Sequence, residues 1–157
     1  MRARGLTLVE LVITVAIVSL LATAVVPSAQ LIHQRQREVE LRAALRTLRG
    51  ALDAYKAAAD TGRIKKKLDQ SGYPPDLQVL VDGVEDAGSA KEGRRIYFLR
   101  KLPRDPLWPD ATTPAAETWG LRCYASPPED PQPGDDVYDI HSQSTRTGLN
   151  GVPYRDW

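Results

Sequence analysis

The first hydrophobic stretch of the chain is long enough to cross a lipid bilayer. Residues 6–26 are 21 consecutive positions with a single charge, Glu10. As an α-helix they would rise about 31 Å, which matches the hydrocarbon core of a membrane. A carboxylate in such a segment costs free energy and is a candidate functional residue by default. The pattern therefore predicts a transmembrane helix in which Glu10 is the chemically distinctive position.

After Pro27 the pattern becomes amphipathic, with apolar residues recurring every three or four positions. Those that share one face of a helix are Leu41, Leu45, Leu48, Leu52 and Tyr55. Such a stripe is typical of a helix packed on a globular domain. Glu38 and Arg42 lie four residues apart, so we expect them to pair along the helix surface.

These two stretches predict one long helix with an irregularity in the middle. It runs from about Leu6 to about Ala59 and is ended by Gly62. Pro27 removes one helical hydrogen bond, so a kink or local melting is expected over residues 22–26.

The remainder of the chain has the pattern of a small α+β head. The stretch YPPDLQVLV predicts a turn and a short helix over residues 76–81, because proline favours the first helical turn. Three stretches bounded by Pro, Gly and Asp predict strands: RRIYFLRKL, WGLRCYA and DDVYDIHS. The sequence therefore predicts a long helix packed on a small antiparallel sheet of three or four strands.

Composition and motifs narrow the function. The 21 basic and 20 acidic residues give a net charge of +1, which argues against nucleic-acid binding. Cys123 is the single cysteine, so no internal disulfide can form. The sequence has no nucleophile-elbow, zincin or phosphate-loop motif. His141 and Ser142 are neighbours in a predicted strand and so point to opposite faces. We therefore expect no enzymatic activity.

Three interpretations of the first segment compete. It could be a secretory signal peptide cleaved after Ala24, in which case the mature protein is a soluble binding domain. It could be an ordinary membrane anchor. The third is a leader cleaved before the apolar stretch. Glu10 distinguishes the three interpretations and favours the third, because a signal peptide or a simple anchor gains nothing from a carboxylate.

The stretch RARG followed by LTLVELVITVAIVSLLA resembles the N-terminus of type IV pilins and of type II secretion pseudopilins. That motif is a basic leader ending in Gly, then a large apolar residue, then Glu at the fifth position. Gly5, Leu6 and Glu10 occupy these positions, with Leu6 where Phe or Met is commoner. The resemblance implies that a prepilin peptidase cleaves after Gly5 and methylates the Leu6 amine. It also implies that Glu10 neutralises the N-terminal ammonium of a neighbouring subunit in a fibre.

The head resembles the major pseudopilins of type II secretion systems. The landmarks are GYPPDLQVLV, YFLRKLPRDPLWPD, WGLRCYASP, DDVYDIHSQS and the final DW. Residues 102–106 and Trp108 match a characteristic turn of that family, with Leu107 inserted, and residues 64–72 look like an insertion. The implied organisation is a leader (1–5), a transmembrane and assembly segment (6–26), an amphipathic half-helix (27–60) and a head (61–157).

The resemblance also implies a function. The chain would be a structural subunit of a periplasmic pseudopilus, anchored by one pass in the bacterial inner membrane with its head in the periplasm. Its partners would be copies of itself, minor pseudopilins, the prepilin peptidase and the inner-membrane secretion platform. A type IV pilin or minor pilin is the alternative within the same class. The single Cys123 disfavours it, because many such pilins close a C-terminal loop with a disulfide.

Calcium is the one cofactor that the resemblance raises, because major pseudopilins typically bind it in a loop before the C-terminus. Calcium takes six to eight oxygen ligands, usually with several carboxylates. The corresponding stretch, SQSTRTGLNGVPYRDW, contains Arg146 and no acid before its next-to-last position. The only candidate acids are Asp136, Asp139 and Asp156. The alternative is a loop held by its own hydrogen bonds, its Gly turns and the packing of Tyr154 and Trp157.

Overall fold

The long helix is present in the computed structural model of the chain, which describes residues 7–91 and 93–157 but only the backbone of residues 22–29. Helix α1 spans Leu8–Asp60, 53 residues. It ends in a turn in which the Gly62 N–H donates to the Ala59 carbonyl over 3.1 Å. Gly62 has φ of 74°, which favours glycine. The predicted end of the helix is therefore confirmed to within one residue.

The chain divides into two units, one ending at Arg37 and one spanning Glu38–Trp157. In the first unit α1 is helical throughout residues 22–26, so the local melting expected before Pro27 is not observed. A kink there stays a prediction. Among the described residues, no helix is both long and apolar enough to cross a membrane. The predicted span lies partly outside them, because it includes Leu6 and the side chains of residues 22–26.

The second unit is built on the apolar stripe of α1. All five stripe residues are buried, and the leucines at 41, 48 and 52 are completely inaccessible. They form one core with apolar side chains from later in the chain, namely Leu77, Leu80, Trp119, Val137, Ile140 and Tyr154. The predicted packing of this half of the helix on the head is confirmed.

The second helix is shorter than the sequence predicted. Helix α2 spans Val79–Asp82. Asp76 lies before it, and its Oδ1 accepts the N–H of Val79 over 2.9 Å. The carboxylate therefore takes up one of the free amides at the helix start, and the helix begins three residues later than expected. At Gly83, which has φ of 73°, a Cβ would lie 2.8 Å from the Ile96 carbonyl oxygen, so the tight turn there requires glycine.

The strands form two small antiparallel sheets, so the expectation of one sheet of three or four strands is wrong. Strand β1 (Val84–Glu85) pairs with β2 (Arg95–Ile96), and β3 (Trp119–Arg122) pairs with β4 (Asp139–Ser142). The stretch after β2 leaves the sheet because the amides of Phe98 and Leu99 both donate to the Leu80 carbonyl. Two 3-10 turns, Ala115–Thr118 and Tyr154–Asp156, complete the described elements. The α+β, pilin-like fold is confirmed.

Substitution of Gly120 by alanine is expected to destabilise the head by about 1–3 kcal/mol, because the added methyl group overpacks the second sheet. Gly120 faces His141 across β3 and β4, and a Cβ would lie 2.2 Å from its Nε2. Gly50 provides the control, since nothing lies within 4 Å of a Cβ there. Gly50→Ala should stabilise the helix by about 0.5–1 kcal/mol. Urea unfolding of both variants checks the opposite signs, and equal effects would contradict the expected crowding.

Candidate assembly site

Glu10 lies in the first turn of α1, and its side chain is exposed. Its backbone N–H donates to Thr7 Oγ1 over 3.2 Å, so Thr7 caps the helix. Thr7 and Glu10 have the T-x-x-E spacing of a capping box, in which the glutamate also supports the helix start. A negative charge in this turn is further favoured by the helix dipole. Position 10 therefore has a local role that sequence reasoning missed, because Thr7 caps its backbone amide, although the spacing was a visible signal.

The apolar side chains that follow Glu10 are all exposed in this unit. Leu8, Leu11, Ile13 and Ile17 each keep more than half of their surface accessible. A contiguous apolar surface of this extent marks a site of contact with other proteins or with lipid. The arrangement is suited to contacts made by other helices.

The predicted processing residues, Gly5 and Leu6, lie outside the described residues. Cleavage after Gly5 and methylation of Leu6 therefore stay predictions. For Pro27 only the backbone is described, so the role of its side chain in a helix kink also stays a prediction.

The structure places the three candidate calcium acids in different surroundings. Asp136 Oδ1 accepts the Tyr124 amide over 2.8 Å, and its Oδ2 accepts the Ser71 hydroxyl. Asp139 is bound by Arg49, with 2.8 Å between Nε and Oδ1. Asp156 is exposed and lies 3.4 Å from the Arg155 guanidinium. Within residues 7–91 and 93–157, no three acidic, histidine or cysteine side chains come close enough to hold a metal ion. These residues do not fit a calcium site.

The loop at residues 143–157 is attached to α1 through a buried carboxylate. Glu38 is only 4% exposed, and its Oε1 accepts both the Leu149 amide over 2.8 Å and the Tyr154 hydroxyl over 2.9 Å. The Tyr154 ring packs edge-on against Trp157, with ring centroids 5.0 Å apart. Gly148 lets the Trp157 ring approach, because a Cβ there would lie 2.4 Å from it. The predicted packing of the two aromatic residues is confirmed, whereas the contribution of Glu38 was missed.

The turn that matches the pseudopilin landmark is held by Asp105, which is 2% exposed. Its Oδ1 accepts the Leu107 amide over 2.7 Å, and its Oδ2 accepts the Ser142 hydroxyl over 2.5 Å. Trp119 Nε1 donates to the Pro103 carbonyl over 2.9 Å. The landmark is therefore a buried structural junction that ties the turn to β4.

His141 and Ser142 point to opposite sides of β4, as expected. Ser142 is buried and bonded to Asp105, whereas His141 is half-buried across from Gly120. Burial lowers the pKa of His141 below its ordinary value of 6.5, against a smaller opposite effect of Asp139. Burial therefore favours the neutral imidazole, and the neighbouring Ser142 hydroxyl lies on the other side of the strand.

A helical N-terminal segment with an acidic first turn, joined to an α+β head, defines the pilin-like class of proteins. Residues 1–26 match the family model described as the prokaryotic N-terminal methylation motif. Type II secretion system core protein G of Klebsiella pneumoniae is 34% identical over 113 residues, covering 69% of this chain and 72% of that protein. The protein of the same name from Klebsiella michiganensis is 28% identical over 136 residues, 85% of this chain and 88% of the relative. The chain belongs to the core protein G family, the major pseudopilins of type II secretion systems. No solved structure matches it.

Proposed function

We propose that this pseudopilin is cleaved after Gly5, anchored in the bacterial inner membrane by its apolar helix, and polymerised into a periplasmic pseudopilus. The observation that carries the proposal is the exposed carboxylate of Glu10 at the start of an exposed apolar helix surface. In lipid the carboxylate is costly, and in water the exposed apolar surface is costly. Packing of helices from several subunits relieves both costs.

Glu10 supplies the charge for subunit pairing. Cleavage after Gly5 would create a positively charged amine at Leu6. A buried charge is tolerated when it is paired, so the Glu10 carboxylate of one subunit and the Leu6 ammonium of its neighbour can enter an apolar bundle together. Each subunit brings one of each, so the pairing repeats along a fibre.

The remaining partners follow from the same scheme. The prepilin peptidase acts at Gly5 and Leu6. The inner-membrane secretion platform receives the anchored subunit, and minor pseudopilins contact the same apolar helix surface. The head performs no chemistry in this scheme, and it holds the subunit on the periplasmic side.

The mature N-terminus tests the processing step. Mass spectrometry of the N-terminal peptide, from protein made in cells with a prepilin peptidase, is expected to identify N-methyl-Leu6. Deletion of the peptidase should leave the intact leader. A Gly5→Ala variant, which changes the cleavage site itself, is the control and should accumulate uncleaved. A mature chain beginning at Val25 would instead establish a secreted soluble domain and overturn the proposal.

A further inference from the structure

The Arg49 guanidinium binds strand β4, which leads into the 143–157 loop, and the last residue of that loop. The residues that it binds are here called the loop base. Arg49 Nε donates to Asp139 Oδ1 over 2.8 Å, and its Nη2 lies 3.5 Å from Asp139 Oδ2. The same Nη2 donates to the main-chain oxygens of Trp157 over 2.8 Å and of Ile140 over 3.2 Å. A single cation thus has four oxygen partners, two from a carboxylate and two from the main chain.

Carboxylate and main-chain oxygens are the ligands that calcium takes in proteins. Here they surround a side chain that is always charged and that presents five N–H donors in a rigid plane. We propose that Arg49 is a built-in cation that replaces calcium in this pseudopilin, so that the 143–157 loop is ordered without a metal ion.

The charges around Arg49 support this assignment. A surface cavity of about 330 Å³ beside it is lined by Arg42, Arg46 and Arg49, with Asp156 as the single acid. The Arg42 guanidinium stacks over the Trp157 ring at 4.2 Å. Three arginines repel a divalent cation, and the Asp139 carboxylate is already paired with Arg49.

The second attachment of the loop likewise needs no metal. Glu38 binds the loop at Leu149 and Tyr154, eleven residues before Arg49 on the same helix. A carboxylate thus holds the middle of the loop and a guanidinium holds its base. Both side chains come from α1 within the unit that begins at Glu38, so the order of the loop depends on this helix.

The test compares full-length protein in detergent micelles, in calcium chloride and in the chelator EGTA. A site that binds calcium in the folded state alone would raise Tm as calcium increases. We expect the same Tm in both buffers and the same hydrogen-exchange protection of peptides from residues 143–157. A rise in Tm with calcium, or loss of protection in EGTA, would overturn the proposal.

Variants of Arg49 test the role of the guanidinium. Arg49→Met should accelerate exchange of the 143–157 peptides about tenfold or more, because carbonyls and a carboxylate lose a charged donor. Arg49→Lys retains the charge without the planar fork and should fall between. Arg100→Met, which removes an exposed arginine that does not line this cavity, is the control and should exchange like the wild type. Unchanged exchange in Arg49→Met would refute the proposed role of Arg49. If that variant fails to fold, the comparison of calcium and EGTA on the wild type still tests the proposal.

The outcome is independent of the proposed function. A loop that responds to calcium would leave the N-terminal processing and the pairing of Glu10 untouched, whereas a mature chain starting at Val25 would leave the Arg49 contacts as they are.

Discussion

Replacement of Glu10 by glutamine is expected to abolish fibre formation while N-terminal processing continues. Glutamine has nearly the size of glutamate and keeps one acceptor oxygen, but it has no charge, so it cannot neutralise the ammonium of a neighbouring Leu6. An unpaired ammonium in an apolar bundle carries a cost of several kcal/mol, which is enough to prevent polymerisation. Electron microscopy of sheared fibres from cells that overproduce the protein measures the loss, and mass spectrometry confirms that the variant is cleaved.

Thr7 provides the control that separates pairing from helix capping. Glutamine is compatible with the capping box, so Glu10→Gln leaves the Thr7 cap on the backbone amide of residue 10 in place. Thr7→Val removes the cap seen at 3.2 Å but retains the carboxylate. We expect Thr7→Val to form fibres and Glu10→Gln to form none. The reverse result would show that Glu10 acts by capping α1, and normal fibres from Glu10→Gln would refute the pairing.

Loss of the Asp105 carboxylate is expected to have the largest effect on the stability of the head. Asp105→Ala leaves the buried Ser142 hydroxyl and the Leu107 amide without their acceptors. Each unsatisfied group costs about 1–3 kcal/mol, so the two together should cost about 2–6 kcal/mol. Urea unfolding followed by tryptophan fluorescence, to which the buried Trp119 contributes, measures it.

Two further variants show whether the effect comes from these hydrogen bonds. Asp105→Asn keeps one carbonyl oxygen and can donate to Ser142, so its loss should be smaller than that of the alanine variant. Asp135→Ala removes an exposed acid and should change stability by no more than about 0.5 kcal/mol. Equal unfolding midpoints for Asp105→Ala and Asp135→Ala would contradict a structural role for the turn.

The sheets show why local pattern was an incomplete guide to the head. The stretch RRIYFLRKL has the composition of a strand, yet only Arg95–Ile96 pairs as one. The amides of Phe98 and Leu99 instead donate to the Leu80 carbonyl of α2, eighteen and nineteen residues earlier in the chain. Strand propensity describes a fit to a half-buried surface, and it does not indicate which acceptor is nearest in space.

In the candidate site, too, local features are visible in the sequence and long-range contacts are not. Glu10 was found because a charge in an apolar run is conspicuous in the sequence itself, and its capping partner Thr7 could have been found from the T-x-x-E spacing. The acids suggested for calcium were chosen by order along the chain. Whether these acids lie close together depends on long-range contacts. In the structure Asp139 pairs instead with Arg49, ninety residues earlier in the chain.

The sequence by itself determined the elements whose signals are local. The apolar segment with its carboxylate, the helical stripe and its end at Gly62 all depend on residues within a few turns of one another. Only the tertiary structure decided how the 143–157 loop is held. Glu38 and Arg42, four residues apart, suggested a pair along the helix, but Glu38 reaches Leu149 and Tyr154, more than a hundred residues away. Hydrogen bonds between distant residues are set by the packing of the whole head, so the spacing of charges along α1 could not reveal that Glu38 and Arg49 hold this loop.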